Sequence, residues 1–202
     1  MHNYASSPSI RNCVFTGNYA YTGGGMYNYD ASVTVNNCSF LDNTTVYSGA
    51  GIAFVLGASL VNNCVFSGNS STDAGGGMFI SETSATTVTN CIFSGNFAIL
   101  GGGIYNNSAA PTITNCSFAG NKASGAGGGM DNYRSSPTIS NCIFWGNNTE
   151  VSDKLSTPVI TYSIVQGGYP GTGNLDTDPL FVDQPDHTQA PTTAGNLRLQ
   201  PC

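Results

Sequence analysis

A cysteine recurs along most of this chain at a nearly constant interval, and this repeat restricts the fold more than any other feature. Six cysteines are spaced 25, 26, 27, 25 and 26 residues apart, namely Cys13, Cys38, Cys64, Cys91, Cys116 and Cys142. A period of about 20–50 residues is the sequence signature of a solenoid. The even spacing indicates one repeated position rather than a set of disulfide partners, and Cys202 stands outside the series.

Each repeat carries the same residue types around its Cys. An Asn precedes the Cys, a Phe follows it two residues later, and a second Asn comes three residues after the Phe, as Asn18, Asn43, Asn69, Asn96, Asn121 and Asn147. A glycine-rich cluster follows and ends in Met or Ile. Apolar positions alternate in short runs broken by Gly and Asn, which is typical of short strands and turns rather than helices.

The repeat predicts an all-β fold, a single-stranded right-handed parallel β-helix of about seven to eight coils with about three short strands each. Parallel strands lie about 4.8 Å apart, so equivalent residues of successive coils stack. We expect Cys, Phe and Met or Ile to point inward, and the asparagines to form ladders that satisfy buried turns. Residues 1–165 are predicted to form the repeats, and residues 166–202 an irregular C-terminal segment closing the stack.

The two ends of the chain lead to a prediction about assembly. The segment MHNYASSPSIRNC at the start matches MDNYRSSPTISNC at residues 130–142, so we expect the chain to begin in mid-coil. Residues 178–182 and 197–199 are expected to add two closing strands, and no cap is evident after them. Uncovered strand edges pair with other chains. Low charge gives little repulsion, and we expect end-to-end self-association into dimers or filaments.

Charge and hydropathy exclude two classes of partner. The formal net charge is −6, with only five Lys and Arg residues, whereas a nucleic-acid-binding surface needs clustered cations. No apolar run approaches the roughly 20 residues that span a bilayer. We therefore expect neither a nucleic-acid partner nor a membrane span.

The repeat resembles that of the chlamydial polymorphic outer-membrane proteins. FTGN, FLDN, FSGN, FAGN and FWGN fit the F-x-x-N element of that repeat, and GGGM, GAGI and GGGI approximate its G-G-A-[ILV] element. The tail YSIVQGGYPGTGNLDTDPLFVD resembles the end of β-helix regions in large secreted bacterial proteins with a surface anchor. These resemblances imply a secreted or cell-surface location and a structural or adhesive role.

One pair of acidic residues raises the alternative of a polysaccharide-acting hydrolase or lyase. Asp30 and Glu82 occupy the same repeat position two coils apart. Their separation would be roughly 9–10 Å, the upper limit for the carboxylate pair of an inverting glycosidase. The competing interpretation, which we favour, is that both are solvated charges on an exposed face, because no third acid or neighbouring His accompanies them.

The C-terminal segment contains a cluster of acidic residues. Asp176, Asp178, Asp183 and Asp186 lie within eleven residues, and several oxygens together can bind Ca²⁺. Their spacing is not that of an EF-hand, so we favour carboxylates that cap turns. We expect no other cofactor. The repeat cysteines lack C-x-x-C spacing and are expected to be packed thiols rather than metal ligands.

Two outward aromatic rows are the candidate ligand-binding residues. Tyr27, Phe79 and Tyr105 share one row, and Tyr4, Tyr29 and Tyr133 share another. Such rings can stack on sugars or on a partner, or simply stack on each other across strands. A T-x-T array around Val88, Ile113 and Ile139 leaves an ice-binding face as a further alternative, although Thr also favours strands in general.

These observations favour a non-catalytic structural or adhesive region of a secreted or cell-surface bacterial protein. Its expected partners are polysaccharide or a host or neighbouring surface protein. A polysaccharide-acting enzyme and a carbohydrate- or ice-binding module remain the alternatives.

Overall fold

The computed structural model describes residues 1–82 and 84–200, and Cys202 lies outside them. The described chain is an all-β right-handed parallel solenoid, with one 3₁₀ turn at His187–Gln189. The predicted fold class is therefore confirmed. No helix in the described part of the chain is long and apolar enough to cross a membrane.

Each coil begins with strands of two parallel sheets. Sheet 1 contains the strands His2–Tyr4, Met26–Tyr29, Ile52–Val55, Met78–Ser81, Ile104–Asn107, Met130–Tyr133 and Val151–Lys154. Sheet 2 contains Ser9–Arg11, Thr34–Asn36, Leu60–Asn62, Thr87–Thr89, Thr112–Thr114, Thr138–Ser140 and Val159–Thr161.

Two further sheets complete the coil. Sheet 3 contains Val14–Thr16, Ser39–Leu41, Val65–Ser67, Ile92–Ser94, Ser117–Ala119, Ile143–Trp145 and Ile164–Val165. Sheet 4 contains Tyr19–Ala20, Thr44–Thr45, Ser70–Ser71, Phe97–Leu100 and Lys122–Ala126. Most coils thus have four strands rather than three, because the chain pairs again after the second Asn. The last complete coil lacks a strand in sheet 4, and Met130 pairs with Val151 only 21 residues later.

The stack is shorter than predicted. Seven strands in each of sheets 1 to 3 make about six turns, not seven to eight coils. The expected closing strands do exist, but Phe181–Asp183 pairs antiparallel with Asn196–Leu199 instead of extending the stack. The sequence predicts more coils because it counts the two strands of this hairpin as part of the stack. A short apolar run predicts a strand but does not show which strand it pairs with.

Stacked side chains fill the interior. The Phe rings of successive coils lie 4.4–4.9 Å apart between centroids and are nearly parallel. Five of them are fully buried, Phe40, Phe66, Phe93, Phe118 and Phe144. Met26, Ile52, Met78, Ile104 and Met130 form a second buried row. Since a narrow coil is packed from every side, each ring is removed from water without a second layer of structure.

The second Asn of each repeat forms a buried ladder. The Nδ2 of Asn69 donates to the Oδ1 of Asn96 at 2.9 Å and to the carbonyl of Phe40 at 2.9 Å. The backbone N–H of Asn69 donates to the same Oδ1 at 3.0 Å. Each ladder side chain therefore pairs with a backbone carbonyl, a backbone N–H and the neighbouring Asn side chains, which explains why this position is always Asn.

The corners of the coil are held in the left-handed region of backbone conformation. The Asn before each Cys has φ of 53–55°, from Asn12 to Asn141. The residue before the second Asn is Gly in five of six repeats and Asp42 in the other, where φ is 52°. Asn, Asp and Gly tolerate this conformation best, so the turn sequence is fixed by the backbone.

Residues 166–176 lie across the last coil. The N–H of Val165 donates to the carbonyl of Leu175 at 2.9 Å, and the N–H of Leu175 donates to the carbonyl of Ser163 at 2.9 Å. Tyr169 packs against the hydrophobic core. This end of the stack is thus covered beside sheets 2 and 3, contrary to the expectation that it lacks a cap, because irregular backbone there satisfies open groups in place of a further coil.

The remaining tail turns back along the outside of the stack. It follows the row of left-handed glycines, with Gln184 at Gly146, Pro185 at Gly120 and Thr192 at Gly95. The N–H of Thr192 donates to the carbonyl of Gly95 at 2.8 Å. A side chain on these glycines would collide with the tail, so the glycine row serves both the turn and this contact.

Candidate functional site

The outer face of sheet 1 carries the predicted aromatic rows. Alternation along each strand turns Met26 and Asn28 inward and Tyr27 and Tyr29 outward. The strands pair in register, so Tyr27 is followed in successive coils by Ala53, Phe79 and Tyr105. The sequence therefore placed these residues in the correct row.

The two rows consist of separate pairs rather than continuous stacks. Tyr4 and Tyr29 stack at 5.7 Å between centroids, and Phe79 and Tyr105 stack at 5.9 Å. Ala53 separates Tyr27 from Phe79. Three residues that are not aromatic separate Tyr29 from Tyr133, namely Val55, Ser81 and Asn107. Tyr105 is only 8% exposed, whereas Tyr4 is 69% exposed. The rings most accessible to a ligand thus lie in the first two coils.

Tyr133 is the centre of a different arrangement. The guanidinium carbon of Arg134 lies 5.1 Å from its ring centroid, and the ammonium of Lys154 lies 5.7 Å from the same centroid. Both cations are exposed, and Tyr133 is partly buried. Cation–π attraction at these distances keeps two positive charges beside one ring.

Two grooves adjoin this cluster. One of about 310 Å³ is lined by Leu100, Tyr105, Ala126, Asp131, Tyr133, Ser152 and Lys154. The other, of about 400 Å³, lies at the turn between sheets 1 and 2 and is lined by Ser84, Ala85, Ser108, Ala109, Ala110, Arg134 and Ser136. Hydroxyl groups line both grooves beside the charged groups of Asp131, Lys154 and Arg134, so the surface can exchange hydrogen bonds with hydroxylated ligands.

Burial sets the electrostatics of the first groove. Asp131 is 4% exposed, and burial raises the pKa of its carboxyl above the ordinary value, with a smaller contribution from Asp153. Burial and the neighbouring Asp131 together raise the pKa of Tyr105 to about 12. The tyrosine hydroxyl is therefore a hydrogen-bond donor at neutral pH, and the carboxyl holds its proton more tightly than an exposed Asp.

Asp30 and Glu82 occupy the corner between sheets 1 and 2. Both are exposed and have positive φ, 48° and 56°. Leu56 stands between them in the same row, with φ of 62°. The row is a left-handed turn position in every coil, which accounts for the variety of residues found there. The structure places the two carboxylates two coils apart, outside both grooves.

The acidic residues of the tail serve their own turns. Asp176 accepts a hydrogen bond from the N–H of Gly167, Asp178 from that of Leu180, and Asp186 from that of Thr188. No group of three His, Cys, Asp or Glu that could hold a metal ion occurs within residues 1–82 and 84–200. The structure therefore does not bring Asp176, Asp178 and Asp183 together as Ca²⁺ ligands.

The six repeat cysteines are free thiols stacked inside the coil. The Sγ of Cys116 donates to the carbonyl of Thr114 at 3.2 Å and accepts from the N–H of Cys91 at 3.4 Å. Burial raises the pKa of the Cys38 thiol. At the end of the row Ser163 takes the Cys position, and its hydroxyl accepts from the N–H of Cys142 at 3.1 Å.

Sequence reasoning missed two features of this surface. Tyr21 and Tyr47, both exposed, form a third aromatic stack at 5.7 Å between centroids, which their spacing of 26 residues could have revealed. The cations around Tyr133 were missed because Lys154 belongs to the shortened last coil. The pairing of Lys154 with Tyr133 can be predicted only if one knows that this coil lacks a strand in sheet 4.

The fold and this surface define a right-handed parallel β-helix with a polar and aromatic outer face. Residues 1–118, more than half of the chain, match the family described as "Right handed beta helix region", and the chain belongs to that family. No curated protein gives a significant match.

Two solved structures share a weak likeness, both of trypsin-treated variants of QnrB1, described as a plasmid-mediated fluoroquinolone resistance protein. The first is 12% identical and has a TM-score of 0.26, over 87% of this chain and 90% of that one. The second is also 12% identical, with a TM-score of 0.20, over 84% of this chain and 90% of that one.

Proposed function

We propose that this chain is a non-catalytic structural and adhesive region of a secreted or cell-surface bacterial protein, and that it binds polysaccharide along the outer face of sheet 1. The observation that carries the proposal is the in-register presentation of aromatic pairs on that face. Aromatic faces stack on sugar rings, and each pair presents two rings on neighbouring coils of the parallel stack. The resemblance to polymorphic outer-membrane proteins supports the location.

The interior supports the structural part of the role. Phe, Cys and Asn ladders connect each coil to the next without a break from the first to the last repeat. In a solenoid each coil is stabilised by its neighbours. A stack held by such ladders acts as a stiff spacer that presents one face along its whole length.

A second candidate is a polysaccharide-acting enzyme, and Asp131 is the residue that favours it. This carboxyl lines a groove beside Tyr105 and Lys154, and burial raises its pKa, as general acids require. Asp30 and Glu82, the acids expected from the sequence, lie outside that groove.

A polysaccharide panel with two readouts tests the proposal. Neutral and acidic polysaccharides are screened for binding by affinity electrophoresis and for turnover by release of reducing ends. We expect binding without turnover, weakened by Tyr29→Ala or Phe79→Ala. Tyr162→Ala is the control, because its ring is exposed and follows the last strand of sheet 2.

Two results would overturn the proposal. Turnover that is lost in Asp131→Asn would establish the enzyme instead. Equal loss of binding in the sheet 1 variants and in Tyr162→Ala would mean that the aromatic face has no special part in adhesion.

A further inference from the structure

The basic side chains of this acidic protein are unevenly distributed. The chain has a net charge of −6 and only five Lys and Arg residues. Two of these five, Arg134 and Lys154, lie beside the ring of Tyr133. The other three are Arg11 on the first strand of sheet 2, Lys122 in sheet 4 and Arg198 in the tail. Tyr133 therefore marks the one place where this chain concentrates positive charge.

These two cations are available to a ligand. Both side chains are exposed, and Lys154 shares its groove with the carboxyl of Asp131, whose pKa burial raises and the charge of Lys154 lowers. Both cations lie beside one ring, at 5.1 and 5.7 Å from the centroid of Tyr133. An anion beside that ring would attract both charges and accept charge-assisted hydrogen bonds, particularly from the guanidinium fork.

The shape of the surface indicates the size of the ligand. Arg134 lines the groove of about 400 Å³ with three serines, Ser84, Ser108 and Ser136. Lys154 lines the groove of about 310 Å³ with Tyr105 and Ser152. Tyr133 lines one groove and the next residue, Arg134, lines the other, so an occupant of both is an extended chain rather than a small ion. The serine and tyrosine hydroxyls match the hydroxyl groups of sugars.

We infer that Arg134, Tyr133 and Lys154 form a binding site for an anionic glycan, carboxylated or sulfated, whose neighbouring sugars occupy the two grooves. The inference rests on the proposed polysaccharide-binding function and specifies the ligand class. Two cations are too few for a nucleic-acid backbone, which needs a longer basic track. An acidic sugar that carries one anion for every one or two rings matches two cations between two hydroxyl-lined grooves.

A charge-matched comparison tests this site in the full 202-residue chain. The double variant Arg134→Gln/Lys154→Gln and the control Arg11→Gln/Arg198→Gln lose the same charge at different places. Binding is measured by isothermal titration calorimetry with heparin, polygalacturonate and neutral dextran, at about 0.15 M ionic strength. All four side chains are exposed, and thermal unfolding verifies that each variant folds.

We expect the site variant to bind heparin or polygalacturonate about tenfold or more weakly, since two charge-assisted contacts are lost. The control should change by less than about twofold. Arg134→Lys keeps the charge but not the guanidinium fork, so it should lose less affinity than Arg134→Gln. Preference for heparin over polygalacturonate, or the reverse, identifies the anion as sulfate or carboxylate.

Three outcomes would overturn the inference. Equal losses in the site and control variants would show attraction by net charge alone. Binding of dextran but of neither acidic glycan would refute the anionic site and leave the proposed adhesive function standing. Failure to bind any polysaccharide of the panel would remove both.

Discussion

The side-chain amide of Asn147 donates a hydrogen bond to the carboxylate of Glu150, at the point where the buried ladder has no further asparagine. All the earlier ladder amides also donate towards the C-terminal end. A carboxylate has acceptors only, so it ends such a row without leaving a donor unpaired. The inner row of sheet 1 ends in the same way, because Asn132 donates to Asp153.

The first prediction concerns the pH dependence of stability through Glu150. Burial raises the pKa of its carboxyl to about 7 from the ordinary 4.5, against hydrogen bonds from Asn147 that lower it. The folded state therefore binds this proton more tightly than the unfolded state, and its contribution is fully present below pH 4.5 and is lost as the pH rises through 7. Glu150→Gln should flatten that decline, by up to about 3 kcal/mol.

Urea unfolding of both proteins at a series of pH values measures this effect. Asp131 contributes in the same direction, but the difference between the two proteins cancels it. Parallel pH curves for the wild type and Glu150→Gln would show that the carboxyl does not titrate in this range.

The second prediction separates the buried Asn ladder from the exposed one. Asn96→Ala removes the partner of the Phe66 carbonyl and of the Asn69 N–H, all inside the coil. We expect a loss of about 3–5 kcal/mol in the free energy of unfolding, since each orphaned group costs about 1–3 kcal/mol. Asn90→Ala, in the exposed Asn row, should cost about 1–2 kcal/mol for its left-handed backbone. Similar midpoints in urea for both variants would contradict this account.

The third prediction concerns the Cys ladder, where hydrogen bonding should outweigh hydrophobic similarity. Cys116→Ser keeps an acceptor for the N–H of Cys91, as Ser163 does for Cys142. Cys116→Val keeps the apolar character but leaves that N–H unpaired in the core. We expect Val to destabilise more than Ser by about 1 kcal/mol or more, measured by thermal unfolding. A more stable Val variant would mean that the thiol acts only as a packing group.

The sequence was sufficient to predict the repeating coil but not the structure outside the repeat. A repeated Cys, Phe and Asn predicted the register, because side chains that stack on copies of themselves must recur at one position. The strands of sheet 4 were missed, since a two-residue strand such as Thr44–Thr45 leaves no pattern of alternation. The grooves beside Tyr133 were also missed, because their residues come from different coils and vary from repeat to repeat.

The tail shows the same limit. The tail contacts Gly95 and Gly120, which are far from it in the sequence. Because the tail itself has no repeat, no periodic pattern predicts these contacts. The glycines are evident in the sequence, but the left-handed turn is sufficient to explain them, so they do not indicate a contact with the tail.

The fourth prediction uses this tail contact. A Cβ at Gly120 would lie 2.5 Å from the carbonyl oxygen of Pro185, whereas nothing lies within 4 Å of a Cβ at Gly17. Both glycines have φ near 63–64°, so Ala costs a similar strain of about 1 kcal/mol at each. Only Gly120→Ala should release the tail, seen as faster amide hydrogen exchange at Thr192. Equal exchange in the two variants would show that the tail tolerates the added methyl group.

The fifth prediction concerns self-association of the 202-residue chain. Residues 166–176 cover the last strands of sheets 2 and 3, whereas every strand of the first coil has an unpaired edge. Association through the first coil alone stops at dimers, which replaces the expectation of filaments. Ile10, buried in the first coil, lies at this edge, and Ile10→Lys should abolish the dimer. Leu155→Lys adds the same charge at an exposed site near the covered end and should leave the dimer intact.

Light scattering over a concentration series measures the mass of each protein. Masses above that of a dimer would show that the covered end also pairs, and a dimer that survives Ile10→Lys would place the contact elsewhere.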